Sequence, residues 1–426
     1  MFEKGLGKFH EKQNMNKKLE KGDLVLGNVV DTDNGVVKND IVIMRFKERC
    51  LFPTVIYGPE EDNKSSQILR SACYQDLENV DAGVVLLEPK GDLCDEVVSK
   101  ARRIERKDIV HFNPVFPECP HLNLMAGAEE DVSNRILNVV RLTLQKERVD
   151  ITEKDAQLIK VAVLIVKRIK KGDAEFADLD ALLNDSAREK EYIDALNEED
   201  HDLVERFHDE NNSDSPVCHL VRKIASDRHL SEVFDCTKKE DILDIASAIR
   251  DGKILCLCSA QYDLEEKGSF VGHVLMQMIE DAIIDRAKEK DKKTVFLYIN
   301  EIPKFFNERF EDILIQSKGY GIVTIISSPT LSISGDSVCT YVPSLCHFEI
   351  IPSFTAAIAE EFTDYLRDYS VKSVIPVSML RNHQIYMFVR TIGLDGPHAV
   401  HAVRANFVTD TMEEAEYCRA IKENKK

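Results

Sequence analysis

The chain has 426 residues, of which 43% are apolar and 31% charged, so it is long enough for two or three domains and can bury a large core. With 75 Asp and Glu against 56 Lys and Arg, its formal net charge of −19 argues against a protein that coats nucleic acid with its whole surface. The apolar runs are far shorter than the roughly 20 residues of a membrane span, and the N-terminus lacks the apolar core of a secretory signal. Eleven cysteines without a CxxC spacing fit reduced thiols better than disulfides or zinc ligands. We therefore expect a soluble, cytoplasmic protein.

The first part of the chain alternates between strand and helix signals. Residues 1–22 are polar and Lys-rich and indicate a flexible arm. After them, short apolar runs at Thr54–Tyr57, 84–87 and Ile109–Phe112 predict buried strands, and segments of helical periodicity lie between these runs. Alternating strands and helices predict a parallel sheet with helices on both faces.

The pattern of apolar residues changes near Gly127, and helical periodicity then dominates as far as residue 215. Within this block, residues 174–215 contain 15 Asp and Glu but 3 Lys and Arg. The simplest interpretation of such a charge run is a solvated helix face. A docking surface for a basic partner is the alternative.

Strand signals resume after the helical block, at Ile254–Cys258, Val295–Ile299, 322–327, 347–351 and 384–389. We therefore predict one discontinuous α/β domain with a helical insertion. Its parts and the flanking segments are 1–22 (arm), 23–126 and 231–410 (α/β domain), 127–230 (all-α insertion) and 411–426 (C-terminal tail).

The first candidate site lies at 58–66, where Gly-Pro-Glu-Glu-Asp-Asn-Lys-Ser-Ser follows a predicted strand and opens a helix. A phosphate-binding loop has the pattern GxxxxGK[ST], in which backbone N–H groups and the Lys hold phosphates and the hydroxyl holds Mg²⁺. The first Gly, the Lys and the hydroxyl stand at the right spacing, and an Asn, which tolerates positive φ, replaces the second Gly. The predicted nucleotide-binding residues are Gly58, Asn63, Lys64, Ser65 and Ser66.

Three acids inside this loop work against nucleotide binding. Glu60, Glu61 and Asp62 place carboxylates where a polyphosphate would lie. Unit charges about 5 Å apart repel by roughly 3 kcal/mol at an effective dielectric near 20. Two such contacts would remove several decades of ATP affinity.

Two later strand ends complete the candidate site. Val295–Ile299 is followed by Asn300 and Glu301, the arrangement of a Walker B strand, where an acid holds Mg²⁺ and the next Glu activates water. Asn300 is a weak metal ligand beside Ser65 because its amide is neutral, whereas Glu301 remains a catalytic candidate if the chain is active. The strand at 322–327 leads to Pro329, which has no side-chain donor for sensing a γ-phosphate.

In this order the motifs resemble the TraG/TraD family of type IV secretion and conjugation coupling proteins, relatives of the HerA–FtsK DNA-pumping ATPases. The family loop GPTGSGKS[ST] is matched by 58–66, and its D-P-K-G-[DE]-L stretch by 88–93 with Glu88 for Asp. Its F-[DN]-P stretch is matched by 112–114, and its Walker B pair by residues 300 and 301. The resemblance covers roughly residues 22–410. It implies an α/β fold, a RecA-like P-loop NTPase domain with a largely parallel sheet, helices on both faces and an all-α insertion.

The departures from the family pattern fall on positions that touch nucleotide or metal. The resemblance and these departures together favour a catalytically inactive relative that binds Mg-ATP weakly or not at all. Such a protein would act as an assembly, adaptor or cargo-recruiting component among protein partners of a secretion or conjugation apparatus, in a homo- or hetero-oligomeric ring. The alternatives are an active DNA or protein translocation motor with an unusual P-loop, and a binding protein that reuses the fold outside secretion.

Basic residues near the end of the periodic helix 271–283 raise two further questions. Arg286 is a candidate to reach the nucleotide site of a neighbouring subunit in such a ring. The alternative is a cation that complements the helix C-terminus. The lysines at 288–293 alternate with acids and lack interleaved aromatic residues, so we do not expect direct nucleic-acid contact.

Overall fold

The fold was analysed in a computed structural model. It describes residues 19–30, 37–58, 64–211, 214–237, 239–329, 346, 348–352, 386–391 and 399–405. The strands are β1 (Leu24–Val30), β2 (Val37–Met44), β3 (Thr54–Tyr57), β4 (Gly83–Glu88), β5 (Ile109–Phe112), β6 (Ile254–Cys258), β7 (Val295–Ile299), β8 (Ile322–Ser328), β9 (Phe348–Pro352), β10 (Tyr386–Thr391) and β11 (Ala399–Ala405). The helices are α1 (Phe46–Arg49), α2 (Lys64–Leu77), α3 (Asp92–Arg103), α4 (Glu129–Lys146), α5 (Glu153–Lys170), α6 (Phe176–Asn184), α7 (Ser186–Asp194), α8 (His201–Glu210), α9 (Pro216–Ala225), α10 (Arg228–Val233), α11 (Ile245–Asp251), α12 (Gln261–Leu264), α13 (Glu266–Asp285) and α14 (Glu308–Tyr320).

Seven parallel strands form the centre of an 11-stranded sheet, in the order β9-β3-β8-β7-β4-β6-β5. Strands β3, β4, β6, β7 and β8 are buried along their whole length, as continuous apolar runs predict for a sheet covered on both faces. The predicted α/β fold with a largely parallel sheet is therefore confirmed. All strand C-termini in this half point to one edge, where ligands of open α/β sheets bind.

Four antiparallel strands extend the sheet beyond β9, in the order β10-β11-β1-β2. The sequence predicts strand at 384–389 but does not assign its direction. Six residues separate β1 from β2 and seven separate β10 from β11, which is fewer than the dozen or so that a crossover between parallel strands needs. Strand β1 is also tied to α2, because the Gln75 amide accepts from the Val25 N–H at 2.9 Å and donates to the Val25 carbonyl at 2.9 Å.

The segment between β5 and β6 is helical in the described residues, apart from a single bridge between His121 and Ile242. Helix α5 covers the predicted periodic stretch, and a capping box between Thr152 and Asp155 fixes its start. The segment packs on the α/β part through α4 and α13. Whether 127–230 is a separate domain, with the boundaries given above, stays a prediction.

A buried ion pair joins α1, α2 and β7 beneath the sheet. The Arg49 guanidinium donates to both Asp76 carboxylate oxygens, at 2.9 and 2.5 Å, and both side chains are about 1% exposed. The Tyr298 hydroxyl donates to the same carboxylate, and the guanidinium lies 5.0 Å from the Phe296 ring centroid. Since every charged group here is paired, the network fixes how α1 and α2 sit on the sheet.

Two expectations about the chain as a whole can be compared with the structure. None of the helices in the described ranges is long and apolar enough to cross a bilayer. The cysteines within those ranges are all free thiols, and most of them are buried.

Candidate functional site

The ends of β3, β8 and β7 meet at the carboxyl edge of the sheet and carry the predicted motifs. The Gly58 N–H, just after β3, donates to the Ser328 carbonyl at 3.0 Å. A side chain at Gly58 would be crowded, because a Cβ there would lie 3.1 Å from the Pro352 Cγ and 3.3 Å from the Ser65 Cβ. The P-loop-like segment therefore begins in close contact with its neighbours on both sides.

The helix after this segment begins at Lys64, as the phosphate-loop pattern predicts. Ser65 is buried, and its hydroxyl lies 3.5 Å from the Gly58 carbonyl, while Ser66 is half-buried. Residues 59–63, which include Asn63 and the three acids at 60–62, lie outside the described residues. The structure gives only the backbone of Lys64, so the nucleotide-contacting role of this segment stays a prediction.

Asn300 and Glu301 follow β7 and are linked through a serine on the adjacent strand. The Ser327 hydroxyl donates to the Asn300 Oδ1 at 2.7 Å and accepts from the Glu301 N–H at 2.8 Å. All three residues are less than 10% exposed. One lone pair of the amide oxygen thus accepts from Ser327 and the amide carries no charge, so Asn300 offers at most a weak ligand for Mg²⁺, and its metal-binding role stays a prediction.

Glu301 is held in a left-handed backbone conformation, with φ 60° and ψ 59°, which is rare for a residue other than Gly. A short 3-10 turn, Ile302–Lys304, follows and brings the Lys304 ammonium to 2.9 Å from the Glu301 carboxylate. The Lys304 N–H also donates to the Glu301 carbonyl at 2.9 Å. The carboxylate that a Walker B site would direct at water is therefore engaged by a lysine.

Ser327 ends the strand predicted at 322–327, but the sequence pattern assigns it no role at the site. The available signal was register: β7 and β8 are parallel with Ile299 opposite Ile326, so the next positions, Asn300 and Ser327, face each other. A hydroxyl at that position can donate to the amide oxygen and accept from the following N–H at once.

Replacing Ser327 with Ala should lower the free energy of unfolding by about 1–3 kcal/mol, because the Glu301 N–H and the Asn300 oxygen would both lose a buried partner. Thr324→Val on the same strand is the matched control. The Thr324 hydroxyl is buried and has no hydrogen-bond partner in the described part of the chain, so its loss should be close to neutral. Urea unfolding of both variants measures the difference, and equal effects would contradict the bridging role of Ser327.

Glu88 ends β4, which is the next strand in sequence after the P-loop-like segment and lies beside β7 in the sheet. Its carboxyl group is 1% exposed and accepts from the Cys94 N–H in the first turn of α3. Burial raises the pKa of Glu88 to about 7. The carboxyl group of Glu88 therefore caps the helix start, since Gly91, at φ 106°, occupies the capping position and has no side chain.

Arg286 is buried and is held by three backbone carbonyls. Its guanidinium is 1% exposed and donates to the carbonyls of Ile249 at 3.1 Å, Tyr320 at 3.2 Å and Lys293. Those carbonyls precede β6, β7 and β8, so Arg286 lies at the amino edge of the sheet, opposite the candidate site. These contacts are compatible with the alternative, a cation at a helix end, and the trans-acting role stays a prediction.

No group of three or more His, Cys, Asp or Glu in the described ranges is placed to hold a metal ion. The predicted metal ligands, Ser65 and Asn300, are both uncharged, and uncharged side chains are weak ligands for Mg²⁺.

No protein-family model matches the sequence, and no curated protein is significantly similar to it. Solved structures do match. The bacterial conjugative coupling protein TrwBdeltaN70, in its unbound monoclinic form, is 13% identical with a TM-score of 0.59, over 95% of this chain and 92% of that one. Its trigonal form in complex with sulphate is 13% identical with a TM-score of 0.59, over 93% of this chain and 97% of that one. VirB4 of Thermoanaerobacter pseudethanolicus is 11% identical with a TM-score of 0.58, over 93% of this chain and 100% of that one. The chain therefore has the RecA-like ATPase fold shared by the TrwB coupling protein and VirB4.

Proposed function

We propose that this chain is a component of a type IV secretion or conjugation apparatus that keeps the ATPase fold without turning over ATP. The likeness in fold to TrwB and VirB4 supports the setting. The proposed inactivity is supported by the linked contacts at the end of β7, which join Asn300, Ser327, Glu301 and Lys304. In an active site of this type, the first residue holds Mg²⁺ and the second activates water.

Both of those functions are impaired by the same set of contacts. Asn300 brings no charge to the metal, and its oxygen is engaged by a hydroxyl at 2.7 Å. Glu301 has a lysine ammonium at 2.9 Å, so its carboxylate is engaged in an ion pair. The acids at 60–62 add repulsion on the side where the polyphosphate would lie.

The role proposed for such a protein is assembly, adaptation or cargo recruitment in the cytoplasm. Residues 174–215 carry a strong excess of acids, and many of them are exposed on α7 and α8. This surface is a candidate to dock a basic partner protein, including an active relative in a mixed ring. We do not expect direct nucleic-acid binding, because a net charge of −19 repels the phosphate backbone.

A working motor is the second candidate, and one observation favours it. Glu301 stands at the end of β7 and the helix beginning at Lys64 follows β3, so the two motifs share one edge of the sheet with only β8 between their strands. A rearrangement that broke the Glu301–Lys304 pair would free the carboxylate. A third candidate, a binding protein that reuses the fold outside secretion, predicts no secretion partners at all.

Calorimetric titration with Mg·ATP and a phosphate-release assay separate these candidates. The unaltered protein should bind Mg·ATP more weakly than millimolar and release no phosphate above background. Glu301→Gln is the control, and it should leave both measurements unchanged. Micromolar binding together with phosphate release that Glu301→Gln abolishes would overturn the proposal and establish the motor. Recovery of secretion-channel proteins with the tagged chain distinguishes the first candidate from the third.

A further inference from the structure

A buried carboxyl group lies between α13 and the start of α14, outside the candidate site. It belongs to Glu280, near the C-terminal end of α13, and this residue is 0% exposed. The Asn307 amide donates to the Glu280 Oε1 at 2.8 Å. The Oε2 is also buried and has no hydrogen-bond partner among the described residues. A buried carboxyl group that lacks a donor for one oxygen is poorly placed to carry a charge.

Two arginines on neighbouring helices pair with the next residue of α13 and not with Glu280. Arg309, at the start of α14, lies 2.6 Å from the Asp281 Oδ1, and Arg135 of α4 donates to the Asp281 Oδ2 at 3.1 Å. Burial raises the pKa of Glu280 to about 8, against the Asn307 hydrogen bond and the charge of Arg309, while the charge of Asp281 adds to the rise.

The other elements packed on α13 carry charged residues that are exposed or already hydrogen-bonded. These are Arg250 and Asp251 of α11, Asp263 of α12, and Asp285, Arg286 and Lys288 at the end of α13. His273, two turns before Glu280 on the same face, is buried and shares a hydrogen bond of 3.0 Å with the Thr143 hydroxyl of α4. Burial, together with the charge of Lys146, holds the pKa of His273 well below its usual range. His273 is therefore uncharged throughout the range in which Glu280 titrates.

Asn307 joins the Glu280 carboxyl group to the backbone of α14. Its Oδ1 accepts from the Phe310 N–H at 3.0 Å and so caps the helix start, while its Nδ2 donates to Glu280. The same side chain therefore holds the first turn of α14 and the buried carboxyl group. Helix α14 runs from the turn that contains Lys304 to β8, which carries Ser327. A movement at its start would change the connection between the two strands of the candidate site.

We propose that Glu280 is a proton switch for α14: its carboxyl group is protonated when the first turn of α14 is closed, and loss of this proton opens that turn. An ionised carboxylate needs donors on both oxygens, and water supplies the missing donor once the turn has opened. Since the pKa is higher in the closed arrangement than the ordinary value of a solvated Glu, the closed turn is favoured at low pH and loses stability as the pH rises towards 8. The switch does not depend on whether the chain binds ATP.

Amide hydrogen exchange of the full chain, measured by mass spectrometry on a peptide spanning 306–316, tests the switch. After correction for the intrinsic exchange rate at each pH, the protection of this peptide should fall by about tenfold or more between pH 6 and pH 9. Glu280→Gln keeps the shape of the protonated carboxyl group and cannot ionise, so its protection should be equal at both pH values. Asp285→Asn, which removes an exposed carboxylate from the same helix, should retain the full fall.

A peptide spanning 136–144, in α4, is the internal reference, and its corrected protection should be the same at both pH values. Arg309→Met gives a second test, because it removes a cation that favours the ionised form and should move the midpoint of the fall to higher pH. A fall that persists in Glu280→Gln, is lost in Asp285→Asn or is shared by the reference peptide would overturn the proposal. Equal protection of the unaltered protein at both pH values, or a midpoint that Arg309→Met leaves in place, would do the same.

Discussion

The variant that combines Glu60→Thr, Glu61→Gly, Asp62→Ser, Asn63→Gly and Asn300→Asp should bind Mg·ATP about three to four decades more tightly than the unaltered chain. The first three changes remove the carboxylates that repel the polyphosphate. Asn63→Gly restores a loop that bends freely around the phosphates, and Asn300→Asp supplies a charged metal ligand. Calorimetric titration measures the gain directly.

Two controls make this result specific. Adding Lys64→Ala to the combined variant should abolish the new affinity, since the Lys would be the main cation on the phosphates. Asn300→Asp alone should give little gain, because the acids at 60–62 remain. A combined variant with native circular dichroism and no increase in ATP affinity would contradict the proposed origin of the loss.

Asp76→Leu should lower the free energy of unfolding by about 3–5 kcal/mol, because it leaves the Arg49 charge buried without its partner. Replacing the whole network with Arg49→Met, Asp76→Leu and Tyr298→Phe should cost less than Asp76→Leu alone. No uncompensated charge or hydroxyl would remain in that triple variant. Chemical unfolding monitored by circular dichroism provides the comparison.

The ion pair between Lys239 and Asp173 serves as the exposed counterpart. Both side chains are more than 70% exposed, so Asp173→Ala should leave the unfolding midpoint unchanged. If Asp76→Leu is as mild as Asp173→Ala, or if the triple variant is the least stable of all, the Arg49–Asp76 pair does not contribute as described.

The parallel half of the fold was predictable because its strands are short continuous apolar runs, a pattern that few other structures produce. Val295–Ile299 and Ile254–Cys258 appear in the structure with the bounds read from sequence. Strand direction in the other half was not predictable, since apolar runs such as that of β10 carry no information on parallel or antiparallel pairing.

The candidate site was predictable in its positions but not in its contacts. The strand ends that carry Gly58 and Asn300 follow from the motif order, because parallel strands place their C-termini at one edge. The pairing of Glu301 with Lys304 and the burial of Arg286 depend on how turns and helix ends pack in three dimensions. Periodicity and spacing along one chain do not encode such contacts.

The pairing of β1 with β11 has a consequence for how the protein is made. Gly27 lies opposite Ala405, so this seam joins residues almost 380 positions apart, and among the described strands β1 and β2 pair with the rest of the sheet only at this seam. During synthesis the β1–β2 hairpin leaves the ribosome long before β11 exists. The Gln75 amide can dock that hairpin on α2 early, because both form from the first 80 residues. The nascent chain thus carries an unpaired edge on β1 until β11 emerges, and this edge is where a chaperone or premature self-association would act.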